Sequence, residues 1–340
     1  MTPSISTQVQ LVARPHGWPT REDFRTVAVE LPPLGPGQVR VENAFVSVDP
    51  YMRGRMNDQK SYTPPFALGE TMTGGAIGTV VASTADGYAV GDVVLHQLGW
   101  RDVAQGDAAG FRVVPALPGV PLSAYLGVLG MTGYTAYVGL TQIAPVAAGE
   151  TVFISGAAGA VGTAAGQIAR LLGASRVVGS AGSAEKVALL TDRYGFDAAL
   201  DYKQAPVRAQ LPALVPEGVD VYFDNVGGDH LEAALDVMNR GGRVALCGAI
   251  AGYNATGRTP GPDNMATIIT QGLTLRGFTL GDHLQHYGQF TTDMSAWFQA
   301  GRIVFDETVV DGIDHAVDAF LDLLRGANIG KMVVRTTPGS

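Results

Sequence analysis

Apolar and polar positions along the chain change rhythm partway through. From about residue 8 to 114 the apolar residues come in short, strand-like runs. Val39 and Val41 alternate with polar neighbours, Ile77, Val80 and Val81 follow Gly74-Gly75, and Val90-Gly91-Asp92-Val93-Val94 reads as a turn feeding a strand. Helical period is scarce there, which predicts a mainly β domain of barrel or roll type. From about 125 to 300, strand-like runs at 151–155, 176–180, 219–224, 242–248 and 273–278 alternate with helical stretches such as 184–193 and 229–238. Alternation of this kind predicts a parallel sheet covered on both faces. A helix at about 313–324 and a strand at 331–335 fall outside the repeating unit, so the chain end is expected to return to the first domain. The organisation read from the pattern is a β domain from 1–125 and 310–340 around an α/β domain at 126–309.

The sharpest local pattern is Thr151 to Gly162. An apolar run, Val152-Phe153-Ile154, meets Ser155 and then the glycines Gly156, Gly159 and Gly162. Val161, Ala164, Ala165, Ile168, Leu171 and Leu172 follow with helical period, and Gly173 supplies a C-terminal stop. Glycine spacing alone fits a tight turn without a ligand. With a strand before it and a helix after it, the pattern predicts a dinucleotide site: bare backbone can approach a pyrophosphate, and the helix N-terminus offers N–H groups and a favourable dipole.

Composition narrows the setting. A chain of 340 residues with 46% apolar content and 45 glycines suits a two-domain α/β enzyme. The formal charge of −8, with no basic stripe, argues against nucleic acid as a partner. Cys247 is the single cysteine, which excludes an internal disulfide and a multi-cysteine zinc lobe and fits a reducing, cytoplasmic setting. No signal peptide is read at the N-terminus. No charged residue occurs between Arg112 and Glu150, but Pro115, Pro118, Pro121, Gly127, Gly130, Gly133, Gly139 and Pro145 interrupt any membrane helix there, so no membrane association is expected.

The second strand of the α/β domain decides which dinucleotide. Arg176-Val177-Val178-Gly179 is followed by Ser180-Ala181-Gly182-Ser183, with no acid at the strand end where an NAD site holds the ribose hydroxyls. The first charges are Glu185 and Lys186. Small residues, a hydroxyl and a lysine accept a 2′-phosphate that a carboxylate would repel, which favours NADP(H). Tyr202, after the next strand, offers a phenolic hydrogen bond.

GETVFISGAAGAVG (149–162), SAEK (183–186), FDNVGG (223–228), CGAIAGYN (247–254) and ANIGKMVV (327–334) resemble the zinc-independent medium-chain dehydrogenase/reductases. VSVDPYMRGRM (46–56) and GMTGYTAYVGL (130–140) are similar to the NADPH-dependent double-bond reductases among them, the prostaglandin/leukotriene, plant alkenal and bacterial curcumin-type enzymes. The likeness runs nearly end to end. It implies a doubly wound, Rossmann-type α/β domain, a mainly β, GroES-like catalytic domain made from both chain ends, and a homodimer. Its cofactor contacts map onto Met131 and Thr132, the turn Ala158, Gly159, Ala160, Val161 and Gly162, then Gly182, Lys186 and Tyr202, and Asn225. Cys247, Gly248, Ala249, Ile250 and Tyr253 follow, with Phe278, Thr279, Leu280 and Asn328 completing the set. No metal is expected: Gly69-Glu70 keeps a fragment of the zinc-branch pattern, yet no histidine stands beside Glu70 and no cysteine precedes Cys247. One departure stands out. Some animal members carry a tyrosine where this chain has Thr270.

Without a metal, the expected reaction is hydride delivery from NADPH to the β-carbon of an α,β-unsaturated ketone or aldehyde. Negative charge then develops on the carbonyl oxygen, and preset donors must meet it. Phenols suit that role, and Tyr51, Tyr62 and Tyr253 are the candidates; the ribose hydroxyl of the cofactor is another. Arg53 reads as a structural ion-pair partner, Cys247 as a backbone contact, and His283 and His286 as the solvated face of a helix. Quinone reduction, carbonyl reduction and NADPH binding without turnover are the competing readings.

Overall fold

The computed structural model describes residues 4–114 and 119–336. Pro115 and Pro118, two of the helix-interrupting positions above, lie outside the described residues. The chain begins with β1 (Ile5–Leu11), β2 (Phe24–Glu30), β3 (Gln38–Ser47), α1 (Tyr51–Arg55), β4 (Ala76–Ser83), β5 (Val93–His96), β6 (Val103–Asp107) and β7 (Phe111–Val113). It continues with α2 (Met131–Val138), β8 (Thr151–Ile154), α3 (Ala160–Leu171), β9 (Arg176–Ala181), α4 (Ala184–Asp192), β10 (Ala198–Asp201) and α5 (Val207–Leu214). Next come β11 (Val219–Asp224), α6 (Gly228–Val237), β12 (Met238–Leu246), α7 (Ala266–Gln271), β13 (Thr274–Gly277) and α8 (Tyr287–Gln299). β14 (Glu307–Asp311), α9 (Ala316–Leu324) and β15 (Lys331–Arg335) close the chain.

Two compact units result. The first combines the chain up to Leu126 with Glu307–Asn328 and the segment from Met332; the second holds Gly127–Asp306 and Ile329–Lys331. In the first unit β1 and β2 pair with each other, and the remaining described strands form a mainly antiparallel sheet in the order β14-β15-β3-β4-β5-β7, with β6 also on β3. One of its core clusters draws on both ends of the chain: Val9, Leu11 and Trp100 meet Phe320, Leu321 and Val334. Trp100 is fully buried, donates its indole N–H to Ser47 O at 3.1 Å, and packs between the rings of Phe24 and Phe320 at 6.4 and 5.8 Å. A buried ring of that size contributes on the order of 3 kcal/mol, so the first unit depends on α9 for its closure. α1 is a single turn that periodicity did not indicate, because five residues are too few to display a period.

In the second unit the described strands make a parallel sheet in the order β10-β9-β8-β11-β12-β13. The chain leaves β8 toward β9 and β10, then returns to β11 on the other side. That reversal opens a crevice at the carboxyl ends of β8 and β11, the usual ligand position in such sheets. Phe153, Val178, Leu200, Tyr222 and Val244 bury one face against Val207 and Leu211 of α5 and Ala233 and Ala234 of α6. The charge-free stretch resolves into α2 and a π-helical turn, Gly139–Ile143, with Tyr134 and Tyr137 packed on Phe290 of α8. No described helix is long and apolar enough to cross a membrane.

Three elements differ from the sequence expectation. The strand expected at 242–248 spans Met238–Leu246 and stops there because the amides of Cys247 and Gly248 turn onto Asp224 O at 2.9 and 3.0 Å. The helix expected from 313 begins with a 3₁₀ turn and becomes α-helical only at Ala316. His283 and His286 stand on a 3₁₀ turn, Leu280–His286, with His283 buried: the Tyr134 hydroxyl donates to its carbonyl and Phe278 packs on its ring.

His96 gives the first unit a pH dependence. It is 3% exposed, its Nε2 lies 2.7 Å from Asn43 Oδ1, and its Nδ1 accepts from Leu98 N at 3.1 Å. Burial, with Arg101 adding to it, lowers its pKa from 6.5 to about 3. The folded protein therefore keeps the ring neutral while the unfolded chain takes a proton below the ordinary value, so stability falls as pH drops from about 6.5 toward 3. At pH 5 this group costs about 2 kcal/mol relative to pH 7. Unfolding free energies of wild type and His96→Gln between pH 5 and 7 check this; equal slopes would refute it.

Candidate functional site

The carboxyl ends of the parallel strands gather most of the residues singled out from the sequence. After β8, Gly156 takes φ +59° and the chain turns into α3 behind the N-cap Gly159, which has no side chain to occupy the helix's first N–H groups. Ala158, Gly159, Ala160, Val161 and Gly162 thus present backbone at a helix N-terminus. Gly162 serves packing: a Cβ there would stand 2.5 Å from Gly156 O and 2.6 Å from Ala157 Cα. A Cβ on Gly159 would meet only Gly156 O, at 3.4 Å, so that position is open to a ligand. Gly330 borders the same turn, donating its N–H to Ala158 O at 2.9 Å.

Beside it, Asp224 fixes the ends of β8 and β11. Its Oδ1 accepts from Ser155 Oγ (3.0 Å), Tyr222 OH (2.7 Å), Val226 N (2.9 Å) and Gly227 N (2.8 Å). Asn225 donates its side-chain amide to Ser155 O at 2.8 Å and its own N–H to Ser155 Oγ at 2.9 Å. The loop Cys247, Gly248, Ala249 and Ile250 wraps onto this frame, with Ile250 N on Asn225 O. Burial and the Asp224 carboxylate push the Cys247 thiol up to about 12, so it is a neutral thiol and not a nucleophile at physiological pH. Tyr253 folds back over the loop. Its phenol accepts from the Ala249 amide and is held above its ordinary pKa chiefly by burial, so it stays protonated with its own hydrogen available for donation.

Beyond β9 and β10 a cationic pocket forms. A Cβ on Gly182 would lie 2.6 Å from Tyr202 OH and 3.2 Å from Lys203 Cε, so the glycine leaves the room that both side chains use. Lys186, whose N–H is capped by Ser183 Oγ, is depressed by burial and then by repulsion from Lys203. The carboxylate of Asp201 is turned onto Lys203 N at 2.9 Å. Two ammonium groups that repel each other beside a phenol suit a dianion. Lys203 was not identified from the sequence; its signal was a second lysine in Asp201-Tyr202-Lys203.

Thr132, near the start of α2, keeps a buried Oγ1 without a hydrogen-bond partner, as does Nδ1 of buried His283. A buried hydroxyl left unpaired costs roughly 1–3 kcal/mol, and a bound cofactor would satisfy it. Met131 is 41% exposed beside it. Phe278 packs on His283, and Thr279, just before the turn from Leu280, donates its hydroxyl to Asp282 Oδ2 at 3.0 Å. The helix N-terminus, the cationic pocket and the unpaired hydroxyl fit the pyrophosphate, the 2′-phosphate and another polar group of an NADP(H) molecule. Thr270, at the departure noted above, bonds its hydroxyl back to Thr267 O and lies on the exposed α7.

Tyr51, Tyr62 and Asn328 belong to the first unit. Tyr51 opens α1, where burial first and Asp49 second raise its phenol well above the ordinary range while Arg55 hydrogen-bonds to it. Tyr62 is 68% exposed. Asn328 is buried. Arg53 is buried and structural, donating to Asn57 Oδ1 and Gly17 O at 2.8 Å each. Arg55, which the sequence did not single out, donates to Pro64 O, Thr73 O and Thr73 Oγ1. The described residues contain no group of three or more His, Cys, Asp or Glu arranged to hold a metal ion.

Comparison with known proteins adds identity to this geometry. Residues 7–114 match the family described as the N-terminal domain of oxidoreductase, and 160–299 that described as zinc-binding dehydrogenase. The oxidoreductase YfmJ of Bacillus subtilis is 42% identical over 98% of both chains. The NADPH-dependent curcumin reductase of Escherichia coli is 40% identical over 96% of this chain and 95% of its own length. The crystal structure of CurA from Vibrio vulnificus in complex with NADPH is 40% identical, covers 98% of this chain and 100% of its own, and superposes with a TM-score of 0.93.

Proposed function

Since the chain belongs to the medium-chain dehydrogenase/reductase family and takes NADP(H) as its cofactor, we propose that it reduces the C=C bond of α,β-unsaturated ketones and aldehydes. NADPH, when bound, supplies the hydride that goes to the β-carbon. The 158–162 turn and the α3 N-terminus bind the pyrophosphate, and Gly182, Lys186, Tyr202 and Lys203 bind the 2′-phosphate. Thr132, Asn225, the 247–250 loop and Phe278–Leu280 orient the nicotinamide half, with Met131 and Asn328 as further contacts. Tyr253 and Tyr51 meet the charge that gathers on the carbonyl oxygen, and Tyr62 borders the substrate. The observation that carries the reading is the Tyr253 phenol: held protonated chiefly by burial, accepting from Ala249, and placed in the loop at the carboxyl end of β12. No proposed step calls on a metal. The free thiol of Cys247 suits a cytoplasmic setting.

The proposal extends to a homodimer. β13 pairs only with β12 among the described residues, its strand is largely exposed, and Ile269 on the preceding α7 is 84% exposed. A free sheet edge with an apolar neighbour favours closure by a second copy.

Three outcomes test these assignments. With NADPH deuterated at the transferred position, the product of an enone carries the label on the β-carbon; label on a carbinol carbon would sink the reading. Lys186→Ala weakens NADPH binding by about 1.5–3 kcal/mol and leaves NADH binding unchanged, measured by titration calorimetry. Light scattering in solution gives twice the 35.4 kDa chain mass, and a monomer mass refutes the dimer.

A further inference from the structure

α1 is five residues long and places Tyr51 and Arg55 one turn apart, so both side chains leave the same face. The guanidinium of Arg55 is tightly seated. Nε donates to Pro64 O at 2.9 Å, Nη2 to Thr73 Oγ1 at 2.9 Å and Nη1 to Thr73 O at 3.3 Å, while its carbon lies 4.0 Å over the centre of the Phe66 ring. A further hydrogen bond runs from Arg55 to the Tyr51 hydroxyl. The groups that favour its charge are the phenols of Tyr51 and Tyr62, with no carboxylate among them. This arrangement is unusual for a half-buried arginine. Placing a cation in protein without a counter-anion is costly, and such groups are ordinarily paired.

The phenol oxygen of Tyr51 accepts from Arg55, so its O–H must point elsewhere. A Cβ on Gly74 would stand 3.8 Å from that oxygen and 2.5 Å from Met52 Cε, so the missing side chain is what leaves room beside the hydroxyl. A hydroxyl that accepts a charge-assisted hydrogen bond becomes a stronger donor, because each bond in a chain polarises the next. We propose that Arg55 is a positioning residue for the reduction: it aims and polarises Tyr51, so that the positive charge absent from Tyr51 itself reaches the carbonyl oxygen of the conjugated substrate through the phenol. Hydride addition at the β-carbon breaks the C=C π bond, whose pair forms the enolate double bond to the carbonyl carbon while the C=O π pair moves onto that oxygen. A proton from solvent at the α-carbon then restores the C=O and completes the saturated ketone or aldehyde. Arg55 remains protonated throughout. It lowers the barrier without touching the substrate, acting on the Tyr51 phenol against the opposing field of Asp49.

The inference rests on Tyr51 holding the substrate oxygen, and the test separates the two statements. Tyr51→Phe, Arg55→Met, Arg55→Lys and the Tyr51→Phe/Arg55→Met double variant are compared as NADPH-saturated enzymes on one enone. Arg55→Met is expected to lower kcat about tenfold with the Kd for NADPH unchanged, and the double variant to match Tyr51→Phe, because the arginine acts only through the phenol. Arg55→Lys keeps the charge and loses the fork to Thr73 and Pro64, so it retains most of kcat; a residue that merely braces the 64–73 segment would suffer equally from Lys and Met. A second readout needs no turnover. With NADP⁺ bound, p-nitrophenol seated on wild type ionises about one pH unit lower than on Arg55→Met, read from its visible absorbance. Losses that multiply in the double variant, or full kcat in Arg55→Met beside an impaired Tyr51→Phe, overturn the inference alone. Full kcat and unshifted p-nitrophenol ionisation in Tyr51→Phe overturn the role of Tyr51 and the inference with it.

Discussion

The second unit is organised by a buried carboxylate. Asp224 is 1% exposed and concentrates four donors on a single oxygen, drawn from β8, β11 and the first residues after β11. Those donors replace water on Oδ1, while Oδ2 is buried without a hydrogen-bond partner. The four bonds therefore fix where β8 ends relative to β11, which is where the parallel sheet changes direction. The backbone oxygen of the same residue takes the amides of Cys247 and Gly248, so the loop bearing Tyr253 inherits its position from Asp224 as well. Loss of this carboxylate would disturb the crevice before it disturbed the core.

Around that fixed frame the polar groups sort by charge. Lys186 and Lys203 repel each other beside Tyr202, and the surrounding Gly182 and Ser183 bring no acid against a phosphate. Cys247 and Tyr253 in the second unit, and Tyr51 in the first, are each pushed toward the protonated form by burial. Under the proposed function, permanent charge would meet the charge of the cofactor, and neutral donors would meet charge that appears only during reaction. Neutral donors do not trap the ground state, so their stabilisation is concentrated on the transition state.

The first unit reaches its form by a different constraint. Trp100, Phe24 and Phe320 form one aromatic cluster, and Phe320 arrives from a helix more than two hundred residues away in the chain. The unit cannot bury this core until the second unit has been synthesised. Its sheet likewise admits β15 beside β3 only after the chain has passed through Gly330. α1, carrying Tyr51 and Arg55, packs through Met52 into that same core, which is why a single helical turn holds its shape.

Local pattern determined much of this protein. Continuous apolar runs and period-3.6 segments located β8, β9, β11, β12, β13, α3, α4 and α6 of the second unit to within a few residues. Strands covered on both faces are apolar throughout, and these helices bury one face. The pattern assigned no range to α2, α5, α7, α8 and β10. The glycine turn after β8 was legible because only backbone without side chains can turn so sharply into a helix, and the missing acid after β9 was legible as a gap in the sequence. Other features exist only in three dimensions. Lys203 joins Lys186 because β10 lies beside β9, Arg55 meets Tyr51 through a helix too short to show a period, and His283 turns inward on a 3₁₀ turn. A pattern along one element reports which face is buried; which residues of different elements meet is set by packing, and no spacing in the chain encodes it.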